Sequence, residues 1–103
     1  MSENQSVVLV GKLERDPGLS YTRGGHPVCN MSIKVGDDKD AKGVWKRVVI
    51  WGRLAEVCSV QLKKGNSIFV RGQNQMKEFI GRDGRPKRFE ELNAESIGVS
   101  LMA

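Results

Sequence analysis

Apolar and polar residues alternate along most of this chain with a period of two, the pattern of strands buried on one face. In SVVLVGKLE, Val7, Leu9 and Leu13 share one face, and Val8, Val10 and Lys12 the other. VCNMSIKVG alternates cleanly: Cys29, Met31, Ile33 and Val35 face in, while Asn30, Ser32 and Lys34 face out. VWKRVVIWG places Lys46, Val48 and Ile50 opposite Trp45, Arg47, Val49 and Trp51. NSIFVRGQNQMKEF sets Ile68, Val70 and Met76 against Phe69, Arg71, Gln73, Gln75, Lys77 and Phe79. RFEELNAESIGVSLM alternates poorly and fits best as a closing strand.

One segment changes period. In RLAEVCSVQLKKG, Leu54, Val57, Cys58 and Leu62 recur at helical spacing, which predicts a short helix with one apolar stripe. Lys63 and Lys64 suit its negative C-terminal end, and Gly65 is a natural stop. RDPGLSYTRGGHP, dense in Gly and Pro, is expected to be loop, as is the charged DDKDAKG. IGRDGRPK is a turn with Asp83 and Gly84 at its tip. Three strands, a short helix and two strands follow the order of an OB-fold: an all-β, five-stranded Greek-key barrel with one short α-helix between strands 3 and 4.

Composition narrows the picture further. A length of 103 residues suits one domain, spanning 1–103, and 39% hydrophobic content is ordinary for a globular protein. No apolar run approaches the roughly 20 residues of a membrane span, and MSENQSVVLVGKLE lacks the layout of a signal peptide. A cytoplasmic, nucleoid-associated protein with no membrane partner is therefore expected. Seventeen Lys and Arg against 12 Asp and Glu give a net charge of +5, which fits a polyanion partner. Cys29 and Cys58 sit in apolar patterns and are expected to be buried, reduced thiols. With one histidine and no closely spaced cysteines, zinc lacks ligands, and no cofactor is implied.

The two tryptophans then pose a question of placement. Trp45 and Trp51 stand roughly 20 Å apart on one strand face, with Arg47 between them. Packing both in the core would bury the guanidinium as well, at a high cost if it is unpaired. Val48 and Ile50 already supply the core from the opposite face. Outside, the same row forms a stacking platform for unpaired bases, with Arg47 near the phosphates. Arg71, Gln73, Gln75, Lys77 and Phe79 make a second cationic row that ends in a ring beside the hairpin.

Several segments resemble the bacterial single-stranded-DNA-binding protein family: VVLVGKLERDPGLSYT, GHPVCNMSI, WKRVVIWGRLAEVCSVQLKKGNSIFVRGQ and FIGRDGRPKRF. The most specific pieces are the RDP…YT loop, the run from Trp45 to Val57, and LKKGNSIFVRG. The resemblance implies an OB-fold subunit that assembles through its sheet edges, a homotetramer in preference to a dimer. It implies sequence-tolerant binding of single-stranded DNA in replication, recombination or repair, with RNA not set apart because stacking does not read the 2′-hydroxyl. It assigns base stacking to Trp45, Trp51 and Phe79. Arg47, Arg53, Lys63, Lys64 and Lys77 match positions that are commonly basic, and Lys34 and Arg71 join them as candidate phosphate contacts.

The chain also departs from the family pattern. The loop VGDDKDAKG has no ring where the family often has a tryptophan, and Gln75 and Glu78 replace basic residues. RFEELNAESI matches only with a one-residue shift. The chain stops at SLMA without an acidic tail for recruiting repair enzymes, as expected of a tailless version or a truncated sequence. The alternative reading is a tailless dimeric adaptor, similar to primosomal replication protein N, linking DNA to a helicase. A nuclease needs a metal constellation, and Asp37, Asp38 and Asp40 lie among lysines without a glycine-turned chelating pattern. No enzyme is expected. A purely structural oligomer would show no DNA affinity at all.

Overall fold

A computed structural model describes residues 6–35 and 44–100 of the chain. Six strands and one helix follow in the order β1 (Ser6–Leu13), β2 (Gly18–Tyr21), β3 (Pro27–Val35), β4 (Val44–Trp51), α1 (Arg53–Gln61), β5 (Ser67–Ile80) and β6 (Pro86–Val99). They hydrogen-bond in the order β1-β5-β6-β4-β3-β2, and a further β1–β3 pairing closes the ring. Every pairing is antiparallel except β4 with β6. Five strands closed this way, with the helix following the two-tryptophan strand, make an OB-fold. Asp37, Asp38 and Asp40 lie outside the described residues.

The closure depends on β1 serving two partners. It runs beside β5 from Ser6 to Lys12 but meets β3 only from Gly11 to Leu13. At Gly11 a Cβ would collide with the Lys34 carbonyl and the Ile33 side chain, so the crossing needs glycine.

Inside, the alternation read from the sequence holds. Leu13, Cys29, Met31, Ile33, Val48, Ile50, Ile68, Val70 and Leu92 line one core, covered at one side by Ala55, Cys58 and Leu62. Each fully buried aliphatic contributes about 1.5–3 kcal/mol of transfer free energy. Cys29 and Cys58 are buried and free. Burial, with the neighbouring Cys58 adding to it, pushes the Cys29 thiol up to about 11, and burial also raises Cys58. Both therefore stay protonated and unreactive near neutral pH.

Four details differ from expectation. Gly18–Tyr21 is a strand, not loop, because it pairs with β3 from Asn30 to Pro27 across a turn in which Thr22 N–H donates to the His26 carbonyl at 3.0 Å. Tertiary pairing outweighs the local density of Gly and Pro there. The Tyr21 hydroxyl donates to Glu56 Oε2 at 2.9 Å, tying this strand to α1, and that bond raises the phenol's pKa. The added strand shifts the helix to a place between the fourth and fifth strands.

The helix also sits differently on the barrel. Its buried residues are Ala55 and Cys58, with Leu62 following, while Val57 is exposed. The small Ala55 side chain lets the helix backbone approach the sheet, and that rolls Val57 outward. The helix ends at Gln61 and Leu62 is extended, so Lys63 and Lys64 fall beyond the last turn.

The poor alternation of the last strand has a local cause. Arg71 pairs with Ser96 and Gly72 with Ala94, so Glu95 is an extra residue that reverses the facing pattern. Leu92 and Ala94 face inward before it, and Ile97 packs on the core after it. A Cβ at Gly72 would collide with Asn93 and Ala94, which explains a glycine at the bulge. Met76, read as core-facing, is exposed because β5 and β6 run on there as a hairpin beyond the last β4–β6 pair, Arg47 with Glu91.

Candidate nucleic-acid interface

The strands place an aromatic and cationic surface on the outside of the barrel. In β4, Val48 and Ile50 are buried, which turns Trp45, Arg47 and Trp51 to the exterior. The indoles are 54% and 50% exposed, too much for core residues. Val49, in the same row, is covered by its neighbours. β3 runs alongside, pairing Lys34 with Trp45, Ser32 with Arg47, Asn30 with Val49 and Val28 with Trp51. The exposed row therefore acquires hydroxyl, amide and ammonium groups from the adjacent strand.

On the other side of β4, β6 continues the same face. Arg47 pairs with Glu91 and Val49 with Asn93. Across β6, Gln75 lies opposite Glu91, Lys77 opposite Phe89 and Phe79 opposite Lys87. Outward residues of β4, β6 and the hairpin thus share one continuous surface. Its two halves touch: the Arg47 guanidinium lies 4.9 Å from the centre of the Phe89 ring. Phe89 in turn meets Phe79 edge-on, with centroids 5.7 Å apart and planes at 61°. Such a pair is worth about 0.5–1.5 kcal/mol beyond burial, and it holds Phe79 at a set angle on an otherwise exposed hairpin.

The predicted cations divide by location. Arg47, Lys34 and Lys77 share the aromatic face. Arg53 opens α1 just past Trp51 and borders an exposed hollow on the helix with Glu56, Val57, Val60 and Gln61. Lys63 and Lys64 lie in the turn after the helix, where the Lys64 backbone N–H donates to Asp16 Oδ1 at 2.7 Å. Arg71 does not join the aromatic face. It lies beyond the bulge between Val8 and Ser96, and its guanidinium donates to Ser96 Oγ at 3.1 Å. Lys46, on the core side of β4, reaches the barrel rim and pairs with Glu90 at 3.1 Å. Both partners are partly exposed, so this bridge is worth less than about 1 kcal/mol.

Two basic, aromatic strands on a closed barrel are matched by similarity along the chain. Residues 4–100 match the model of the Single-strand binding protein family. The chain belongs to that family. A single-stranded DNA-binding protein of Xylella fastidiosa (strain Temecula1) is 33% identical over 98 residues, covering 88% of this chain and 60% of the relative. Single-stranded DNA-binding proteins of Neisseria meningitidis serogroups A and B are each 34% identical over 104 aligned positions, covering 94% of this chain and 59% of theirs. The chain spans about 60% of the length of the curated relatives it matches.

In this member of the single-strand binding protein family, sequence reasoning missed Phe89. The ring belongs to the stretch whose alternation the bulge at Glu95 disturbs, and without that bulge its face could not be assigned. Its separation of two from Glu91 and four from Asn93 was the available signal. The exposed Arg82, Arg85 and Lys87 of the hairpin also went unassigned, although the composition of GRDGRPK pointed to them. Glu78 offsets part of that charge through a 3.5 Å contact with Arg88.

Proposed function

We propose that this chain binds single-stranded DNA across the outer face of β3, β4, β6 and the hairpin, as its named relatives do. Bases stack on Trp45, Trp51 and Phe79, with Phe89 as a partly covered fourth ring. Arg47, Lys34 and Lys77 neutralise phosphates between the rings, and Arg53, Lys63 and Lys64 extend the path around the helix end. The observation that carries this reading is the pair of half-exposed indoles flanking an exposed arginine on one strand face. Rings with solvent-facing π-surfaces accept any base, so the bulk of the affinity is sequence-tolerant. The protein works by capture and stacking without bond-making chemistry, inside the cell, in the replication, recombination or repair of DNA.

The binding unit is a homo-oligomer, a tetramer before a dimer. Val8, Val10 and Phe69 are exposed and adjacent, and among the described residues β1 from Ser6 to Val10 pairs on one side only. An open strand edge beside an apolar patch is suited to a second copy of the same chain. The relatives named above do not favour the dimeric helicase adaptor.

Titration with oligothymidine tests the reading, with tryptophan fluorescence and particle mass recorded together. Saturable quenching with the mass of a tetramer is expected. Absence of quenching, or cleavage of labelled strands with magnesium or manganese, would count against it.

A further inference from the structure

Between the β1–β2 turn and the outer face of β3 lies a cavity of about 270 Å³ whose wall includes Arg15, Asp16, Asn30, Ser32 and Arg47. It borders the aromatic face, because Arg47 belongs to both. Its lining is mixed in a particular way: two guanidiniums, one carboxylate, an amide and a hydroxyl. Among the described residues the side chains of Arg15, Asn30 and Ser32 have no hydrogen-bond partner. Asp16 is held in place by the Lys64 backbone N–H, 2.7 Å from Oδ1, and its other oxygen is left to accept.

A phosphate fits this lining badly, since the fixed carboxylate would repel it. A nucleobase edge fits better, and the four DNA bases differ in how well. Guanine alone presents two adjacent donors, N1–H and N2–H, which a carboxylate can accept together. Its opposite edge presents the acceptors O6 and N7, which a guanidinium can address in bidentate fashion. Adenine and cytosine each place a ring acceptor beside their amino group, against the lone pairs of Asp16. Thymine has one donor flanked by two carbonyls.

We propose that this cavity is a guanine-selecting subsite, adding a preference at one nucleotide to a strand held elsewhere by stacking. The proposal rests on the single-strand reading above. Asp16 accepts from the Watson–Crick edge, Arg15 donates to O6 and N7, and Asn30 and Ser32 bound the floor, while Arg47 at the border keeps its place on the phosphates.

The test uses short oligothymidines carrying one central dG, dA, dC or deoxyinosine, titrated by fluorescence quenching against the native chain, Asp16→Asn and Arg15→Gln. A single dG is expected to raise affinity by about five- to tenfold over dA or dC, within the range of one bidentate base contact. Deoxyinosine, which lacks the N2 amino group, should lose most of that gain. Asp16→Asn keeps a carbonyl for the Lys64 N–H, so its melting temperature and its affinity for plain oligothymidine should hold. Its preference for dG should vanish. Arg15→Gln removes a side chain with no bonding partner among the described residues and should lower the preference without touching the fold. If plain oligothymidine binds and dG does no better than dA, the subsite is wrong while the stacking face stands. A dG preference that survives Asp16→Asn also overturns it, as does an equal rise in affinity for every oligonucleotide, which would mark a phosphate site. Failure to bind any oligonucleotide would instead defeat the single-strand reading beneath it.

Discussion

Trp45 and Val10 occupy equivalent settings, outward positions on barrel strands with 54% and 59% of their surfaces exposed. Their surroundings differ. Trp45 pairs with Lys34 and shares its strand face with Arg47, whose guanidinium meets Phe89, so that apolar rings alternate with charge. Val10 stands beside Phe69, whose ring lies over Gly98, with Val8 one outward position away. On that side Arg71 is turned to Ser96. The first face breaks its apolar area into plates separated by cations, the form that a chain of bases linked by phosphates can match. The second keeps its apolar area contiguous, two valines beside a phenylalanine ring, next to a strand edge with no partner among the described residues, which another protein surface can cover. One barrel exterior thus carries two kinds of exposed hydrophobicity, told apart by where the charges lie.

The largest expected effect would separate the faces outright. Val10→Asp buries a carboxylate in any contact made by the face of Val8, Val10 and Phe69, where an unpaired charge costs several kcal/mol. Light scattering should show the proposed oligomer falling apart, while the isolated subunit keeps its melting transition because Val10 leaves no cavity. Trp45→Ala should leave the mass unchanged. If Trp45→Ala dissociates the assembly instead, the two roles are exchanged.

Next in size is the response of the rings. Trp45→Ala and Trp51→Ala should each cost roughly 1–3 kcal/mol of binding per stacked base. Their melting temperatures should stay near the native value. Ile50→Ala, one residue away but buried, should cost about 2–5 kcal/mol of stability. Thermal melts run beside oligothymidine titrations distinguish the two patterns. A smaller effect separates the arginines. Each phosphate contact on a single strand contributes about −0.7 to the logarithmic salt slope. Arg47→Ala should flatten the slope by about that amount, and Arg71→Ala should leave it alone. Equal flattening would return Arg71 to the binding surface.

Which residues face outward could be seen in the sequence, because period-two alternation tells inside from outside wherever a strand is regular. Trp45, Arg47 and Trp51 were readable as outward because Val48 and Ile50 claimed the core, and Cys29, Met31 and Ile33 did the same for β3. Alternation does not tell one exterior from another. Arg71 and Lys77 share a parity in β5, yet six residues and the register shift opposite Glu95 separate them, so Lys77 lies across from Phe89 while Arg71 bonds Ser96. The bulge is a property of the β5–β6 pair, invisible in either strand alone. Val57 failed for a related reason: the helical stripe allowed more than one roll angle, and the packing of Ala55 chose between them. Gly18–Tyr21 acquires its strand character from β3, not from its own composition.

The smallest predicted effect probes how the two halves of the aromatic face are joined. Phe89 contributes little exposed surface of its own, but it touches both Arg47 and Phe79. A guanidinium over a ring at this kind of site is worth about 0.5–1 kcal/mol, and the edge-on pair a similar amount. Phe89→Leu keeps apolar bulk while removing the π-face, so both contacts go and stability changes little. Binding should weaken by about 1 kcal/mol, through a less ordered Arg47 and a Phe79 free to turn. A double-mutant cycle with Arg47→Ala sharpens this, since the joint loss should be smaller than the sum of the two single losses. Strict additivity would mean that the ring and the guanidinium act separately, leaving the hairpin and β4 as two independent platforms. Sub-additivity, measured by oligothymidine titration at fixed salt, would make them one.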